Sequence, residues 1–158
     1  MNDLLMLLEK NARYTDDQLA AMLGVTPGEV HRQITEYEAQ GVIKGYAGII
    51  DWDKTDKHTV SARIEVKVTP KKDRGFEELA EAISQHEEVQ SLYLMSGGYD
   101  LALTIVGQTF QDIAFFVAYR LAPMDGVQST ATHFILRKYK EKGTLVIDCH
   151  KDERGVML

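Results

Sequence analysis

Two consecutive amphipathic helices, each with a marked start and a marked end, constrain this chain more than any other feature. They span residues 15–24 and 26–41, so that only Val25 separates them. Each begins with a threonine that has Gln18 or Glu29 three residues later, the spacing of a capping box, and each ends with a glycine. A short glycine-containing turn between two amphipathic helices is typical of a helix-turn-helix, although a plain helical hairpin has the same pattern.

The second helix is the one that a helix-turn-helix places in the major groove of DNA. Apolar residues recur with i, i+4, i+7 spacing from Val30 to Tyr37, which predicts that this side faces a core. The predicted DNA contacts on the outer face are His31, Arg32 and Thr35. Arg32 is the strongest candidate because an arginine binds a guanine edge or a phosphate. A surface salt bridge to Glu29 or Glu36 is the alternative.

The flanking segments complete the pattern of a winged helix-turn-helix domain over residues 1–50. A first amphipathic helix is predicted over Asp3–Ala12. After the helix pair, residues 42–50 are rich in β-formers and contain two glycines, which predicts a β-hairpin or wing. In this wing Lys44 and Tyr46 either contact the DNA backbone or pack on the protein, and we include Lys44 among the predicted DNA contacts.

The charge balance argues mildly against nucleic acid as a partner. The chain has a net charge of −6, and residues 1–50 carry four Lys and Arg against seven Asp and Glu. Because phosphate neutralisation contributes much of DNA affinity, a helix-turn-helix this acidic should bind weakly as a monomer. Dimerisation or higher assembly would have to multiply its affinity.

The second part of the chain, residues 59–158, shows the element order of a ferredoxin-like domain, β-α-β-β-α-β. Its clearest element is the first strand, in which apolar and polar residues alternate strictly. Strands are predicted at residues 60–69, 89–95, 101–105, 127–139 and 144–149, and helices at residues 76–83 and 110–121. The predicted fold class is therefore α+β.

A polar stretch, residues 51–58, is the predicted linker between the two domains. In a ferredoxin-like domain the helices cover one face of the sheet. The opposite face is free to bury against another subunit, which predicts a homo-oligomer.

The composition excludes several other classes of protein. No apolar run approaches the ~20 residues of a membrane span, and no signal peptide is recognisable. The single cysteine, Cys149, cannot form an internal disulfide and fits a reducing cytoplasm. The histidines lack the spacing of a metal site, and no nucleophile motif or phosphate-binding loop is present. We therefore expect no enzyme activity, no catalytic residues, no metal and no cofactor.

Taken together and in order, five motifs resemble the Lrp/AsnC (feast/famine) family of bacterial and archaeal transcription regulators. They are Asn11-Ala-Arg-Tyr-Thr15, Leu19-Ala-Ala-Met-Leu-Gly24, Gly41-Val-Ile-Lys-Gly-Tyr46, Ser96-Gly-Gly-Tyr-Asp-Leu101 and Gly126-Val-Gln-Ser-Thr-Ala-Thr132. The resemblance covers nearly the whole chain. It implies an N-terminal winged helix-turn-helix followed by a ferredoxin-like (RAM) domain.

The resemblance also implies partners: double-stranded DNA, a second copy of the chain and a small effector. The dimer would form through the sheet domain and assemble further, often to an octamer, with an amino acid held at the contacts between dimers. In the family a glycine-rich loop donates backbone N–H groups to the effector's carboxylate, and a nearby acidic residue binds its ammonium. The corresponding loop residues are Ser96, Gly97, Gly98, Tyr99 and Asp100, and the second contributors are Gln128, Ser129 and Thr130.

Two departures from the family pattern keep alternatives open. Gly98 occupies a position where the family commonly has an acidic residue, and Gly97–Gly98 has the composition of a plain tight hairpin turn. The helix predicted to bind DNA has Gln33, Thr35 and Glu36 where family members often carry basic residues. We therefore consider two functions: a DNA-binding regulator that responds to a metabolite, and a metabolite-binding oligomer with a degenerate DNA-binding half.

Overall fold

The computed structural model describes residues 3–69 and 75–146, and the chain divides into two compact units, residues 1–48 and 49–158. The first unit consists of three helices, α1 (Asp3–Lys10), α2 (Asp16–Leu23) and α3 (Pro27–Ala39). Its small core is formed by Leu4, Leu8, Leu19, Ala20 and Val30. Helix α1 thus ends two residues earlier than the sequence predicts.

The predicted starts and stops of α2 and α3 are confirmed. Thr15 and Thr26 each accept a hydrogen bond from the backbone of the third helical residue, whose side chain bonds back to the threonine N–H. Gly24 and Gly41 have φ angles of 70° and 67°, a conformation in which a Cβ atom is strained. These bonds are local, so the sequence alone is sufficient to specify them.

The β-hairpin predicted over residues 42–50 is absent, and residues 44–50 form neither helix nor strand. Instead, the N–H groups of Val42 and Ile43 both donate to the Tyr37 carbonyl, which closes the end of α3. The prediction was wrong because an isolated two-stranded hairpin is marginal in water, and this segment pairs with no other strand in the described chain.

The second unit begins with a 3₁₀ turn (Trp52–Lys54) and continues as the predicted β-α-β-β-α-β order. The elements are β1 (Val60–Val68), α4 (Glu77–Ser84), β2 (Val89–Leu94), β3 (Leu101–Gly107), α5 (Phe110–Phe116) with a π-helical extension (Val117–Leu121), and β4 (Val127–Ile135). The sheet order is β2-β3-β1-β4, and all neighbours are antiparallel.

The last predicted strands differ from those observed. β4 ends at Ile135 rather than at residue 139, and a short hairpin follows, β5 (Lys140–Glu141) with β6 (Thr144–Leu145). The predicted strand over residues 144–149 extends beyond the described residues, and Cys149 lies outside them.

The sheet has one apolar and one polar face, as the alternation in β1 predicts. Ala62, Ile64 and Val66 are completely buried and pack in one core with buried residues of the helices, including Ile83 and Ile113. The intervening β1 residues belong to the other face, where Arg63 and Lys67 are exposed and Glu65 Oε2 lies 3.5 Å from His133 Nε2. On this face Ser61 and Ala102 are buried, whereas Arg63, Lys67 and His133 are exposed.

Candidate DNA-binding helix and ligand loop

The outer face of α3 is defined by the position of its buried face. Val30 is completely buried, and Ile34 and Tyr37 pack against the same core. At about 100° per residue, Arg32 lies on the opposite side of the helix, and its side chain is exposed. No salt bridge joins Arg32 to a carboxylate within residues 3–69 and 75–146. The surface salt bridge predicted as an alternative is therefore not formed, although the charge of Arg32 lies near enough to Glu29 to help lower the pKa of that carboxyl.

The other two predicted contacts on α3 already have intramolecular partners. His31 Nδ1 lies 3.3 Å from Asp16 Oδ2, so that this pair joins α3 to α2 at the surface. The Thr35 hydroxyl donates to the His31 carbonyl at 2.9 Å, which leaves it free to accept a hydrogen bond but not to donate one. Of the three candidates, Arg32 offers the most to a DNA ligand.

The start of α3 carries a fixed negative charge. Glu29 accepts hydrogen bonds from Thr26 N at 3.0 Å and from the Thr26 hydroxyl at 2.9 Å. These two bonds lower the pKa of Glu29, burial opposes them slightly, and the nearby charge of Arg32 assists them. A carboxylate at this position complements the helix dipole, but it also occupies the helix end that would otherwise attract a phosphate.

Replacing Thr26 with alanine is expected to lower the free energy of unfolding of the helical unit by about 1 kcal/mol, because the helix loses its N-cap. Urea unfolding followed by circular dichroism would measure the change. Thr35→Ala is the matched control, since its exposed hydroxyl caps nothing and the change should stay within about 0.5 kcal/mol. Equal effects of the two substitutions would contradict the importance of the cap.

The end of α3 is surrounded by residues of the segment that follows it. The Lys44 ammonium lies close to Gly41, where a Cβ atom would be 2.9 Å from Lys44 Nζ. A cation at this end of a helix is favoured by the helix dipole. The Tyr46 hydroxyl donates to Glu38 Oε1 at 2.9 Å, and burial together with this carboxylate raises the pKa of Tyr46. The bond from Tyr46 therefore attaches the segment after α3 to the helix itself.

The glycine-rich loop, residues 96–100, connects β2 to β3. Its last residue, Asp100, forms hydrogen bonds to β1. Asp100 N donates to the Val66 carbonyl at 3.0 Å, and Asp100 Oδ2 accepts from Val68 N at 2.7 Å. The side chain thus takes the place of a β3 carbonyl where the loop leaves the sheet. Sequence reasoning missed this bond because it joins residues that are 32 positions apart.

The two glycines of the loop are not required by contacts within the chain. A Cβ atom built on Gly97 or Gly98 would meet no atom within 4 Å, and Gly98 does not have a positive φ angle. Both residues are exposed. A hairpin turn could therefore accommodate a side chain at Gly98, which argues against a purely conformational reason for glycine there.

The start of β4 lies at the same end of β1 as the glycine-rich loop. The β1–β4 register skips Gln128, which is an extra residue in β4 and donates from Nε2 to the Thr69 hydroxyl at 2.6 Å. Ser129 and Thr130 pair with Lys67 and Val66. The two sets of predicted effector residues are thus brought to one end of the sheet, one set on each side of β1.

Two surface clefts in the second unit were not predicted. One, of about 220 Å³, lies between the end of β1, helix α4 and the segment Met124–Gly126. The other, of about 620 Å³, is lined by Phe115 and Tyr119 and by Arg120, whose Nη1 lies 2.6 Å from Glu88 Oε1. Within the described residues, no cluster of His, Cys, Asp and Glu could hold a metal ion. No helix among them is long and apolar enough to cross a membrane.

Models of two known protein domains match this chain. Residues 3–44 match a winged helix-turn-helix DNA-binding domain, and residues 61–145 match the Lrp/AsnC ligand binding domain. The two matches correspond to the two compact units.

Curated proteins similar to this chain are transcriptional regulators by name. An uncharacterized HTH-type transcriptional regulator of Bacillus subtilis, YugG, is 44% identical over 156 residues, which cover 98% of this chain and 94% of that protein. The leucine-responsive regulatory protein of Escherichia coli is 26% identical over 144 residues, covering 89% and 85%. The regulatory protein AsnC of Haemophilus influenzae is 29% identical over 129 residues, covering 82% and 84%.

Solved structures share the fold. The complex of a Neisseria meningitidis transcriptional regulator with L-Met superposes with a TM-score of 0.69 at 25% identity, covering 87% of this chain and 88% of that one. The structure of E. coli AsnC gives a TM-score of 0.65 at 20% identity, covering 87% and 91%. The predicted α+β arrangement, a helix-turn-helix unit followed by a ferredoxin-like sheet, is therefore confirmed.

Proposed function

Because this chain belongs to the Lrp/AsnC family of transcriptional regulators, we propose that it binds specific sequences of double-stranded DNA under the control of an amino acid or a related metabolite. Members of this family are regulators and not enzymes. We assign DNA binding to residues 1–50, effector binding and oligomerisation to residues 59–158, and the linker to residues 51–58. As a DNA-binding regulator of this kind, the protein would act in the cytoplasm.

The proposal that this protein binds DNA rests on the position of Arg32 on α3. Its guanidinium projects from the side opposite the buried stripe and forms no salt bridge within the described chain. An arginine in this position can bind a guanine edge through two hydrogen bonds. His31, Thr35 and Lys44 are the accompanying contacts, and they would position the helix rather than select the sequence.

The effector half rests on the loop of residues 96–100 and the start of β4. Backbone N–H groups of Gly97 and Gly98 would bind the carboxylate of an amino acid, since glycine permits close approach of an anion. The second oxygen of Asp100, which does not bond to Val68, would bind the ammonium. Ser96, Tyr99, Gln128, Ser129 and Thr130 would complete the site at the contacts between dimers. That a similar regulator was crystallised with L-Met supports a ligand of this class.

The assembly would start from the face of the sheet opposite the helices. In one chain this face exposes Arg63 and Lys67 beside the Glu65–His133 pair, and a second copy would cover it. Further association of these dimers, up to an octamer, would create the contacts that hold the effector. Effector binding would then shift the spacing of the α3 helices and so change affinity for the operator.

The acidity of the helical unit supports a second candidate, a metabolite-binding oligomer whose DNA-binding half is degenerate. Besides the negative balance of residues 1–50, His31 is engaged by Asp16, and Glu36 is exposed one turn beyond Arg32. Each feature reduces the attraction of this unit for phosphate.

Selection of genomic DNA fragments by the purified protein would separate the two candidates. The selected fragments would be titrated by fluorescence anisotropy at two salt concentrations, with and without an amino-acid mixture. A regulator should enrich specific fragments, and its affinity should fall steeply with salt. Absence of enrichment at low salt under both conditions would contradict DNA binding and favour the metabolite-binding oligomer.

Gly98→Ala tests whether the glycine-rich loop is a ligand site or only a turn. Because a Cβ atom at Gly98 meets nothing within 4 Å, the melting temperature without ligand should be unchanged. The thermal shift produced by an effector should fall, since the methyl group blocks approach to the backbone amides. If Gly98→Ala lowered the melting temperature but left the effector's shift intact, the turn would be the correct interpretation.

A further inference from the structure

The outer face of α3 presents a carboxylate next to the proposed guanine contact. Glu36 follows Arg32 by four residues, so the two side chains are about 40° apart around the helix and one turn apart along it. Both are exposed, and no salt bridge joins them. A helix that inserts Arg32 into the major groove therefore inserts Glu36 as well.

The Glu36 carboxylate is held in place on the helix surface. Gln40 Nε2 donates to Glu36 Oε1 at 3.0 Å, which leaves Glu36 Oε2 to accept other hydrogen bonds. The neighbouring Glu38 differs, because its Oε1 accepts from the Tyr46 hydroxyl and it lies toward the side of the helix. Glu36 is thus the one of the two that can reach a base.

A carboxylate in the major groove is repelled by the phosphates unless a base donates a hydrogen bond to it. The donors on the major-groove edges are the amino groups of cytosine and adenine. Guanine presents two acceptors, and thymine presents an acceptor and a methyl group, so both exclude a carboxylate. Adenine presents an acceptor beside its amino group, whereas cytosine does not. Cytosine is therefore the base that a carboxylate tolerates best.

We propose that Glu36 is a specificity-determining residue that accepts a hydrogen bond from the amino group of a cytosine next to the guanine bound by Arg32. The inference rests on the proposed function, because it requires α3 to enter the major groove. It also explains how an acidic helix can serve a DNA-binding protein. The carboxylate weakens binding to every sequence except those with cytosine at this position, so it increases specificity at the expense of overall affinity.

Glu36→Gln is the decisive variant, and Glu38→Gln is its matched control. Each removes one negative charge from an exposed position of α3, so both should raise affinity for random DNA, and Glu36→Gln should raise it more because Glu36 faces the groove. We expect the wild type and Glu38→Gln to select cytosine at one position of each half-site. Glu36→Gln should lose this preference by about 10-fold or more and turn toward adenine, the base that glutamine binds through two hydrogen bonds. Selection from a random DNA pool, followed by anisotropy on single-base variants, measures the preference.

A second variant, Glu36→Asp, tests the base contact without changing the charge of the helix. Glu36→Asp retains the carboxylate but withdraws it from the base, so it should also lose the cytosine preference while its salt dependence stays that of the wild type. If the wild type binds selectively and Glu36→Gln keeps the same base preferences, the inference is overturned and the regulator proposal survives. If the wild type binds DNA without sequence selectivity, the proposed function fails and the inference fails with it.

Discussion

Arg32→Ala is expected to abolish sequence-specific DNA binding while leaving the fold and the effector response unchanged. Arg32 is exposed on the side of α3 opposite the buried Val30, so its removal takes nothing from the core. A two-bond contact between arginine and guanine contributes about 1–3 kcal/mol. A dimer would lose two such contacts, which corresponds to at least about a 30-fold rise in Kd for the selected site. Anisotropy titration against selected and scrambled DNA would measure this change.

The matched control is Arg32→Lys, which keeps the positive charge but lacks the two-pronged geometry of the guanidinium. If Arg32 contacts a base, Arg32→Lys should bind scrambled DNA like the wild type and should still lose selectivity. Selectivity fully retained by Arg32→Lys would show that the two-pronged geometry of the guanidinium is not required. Specific binding that survives Arg32→Ala would show that another surface of the unit enters the groove.

Asp100→Ala and Asp100→Asn are expected to separate the structural role of this carboxylate from its role in ligand binding. Alanine leaves the Val68 N–H at the end of β1 without its acceptor, and we expect a loss of about 1–3 kcal/mol in the free energy of unfolding. Asparagine can still accept from Val68 N through its amide oxygen, so its stability should stay close to that of the wild type. It lacks the negative charge that would bind an ammonium group.

Differential scanning fluorimetry with individual amino acids would provide the measurement. The effector that raises the melting temperature of the wild type should have little effect on Asp100→Asn. The control is Asp53→Asn, which changes an exposed aspartate of the same unit and should keep the full shift. A full shift in Asp100→Asn would place the ammonium elsewhere, and the cleft beside Met124–Gly126 would be the next candidate.

The elements of this fold that the sequence predicts well are those formed by short-range bonds or by strict periodicity. The capping boxes at Thr15 and Thr26 each close over three residues, and both were located to the residue. The alternation from Val60 to Val68 identified the central strand and its buried face. The β-hairpin over residues 42–50 was mispredicted, since β-forming residues make a strand only where another strand is available to pair with them.

The candidate sites, too, were predicted from the sequence only in part. The sequence by itself determined which residue types are present: an arginine on the outer face of α3, two adjacent glycines and an aspartate that follows them. Only the tertiary structure showed that Asp100 is bonded to Val68, 32 residues away, and Gln128 to Thr69, 59 residues away. Such bonds depend on how β3 and β4 align with β1. That alignment is set jointly by the buried faces of all the strands and by the turns between them, so it cannot be read from one segment of the chain.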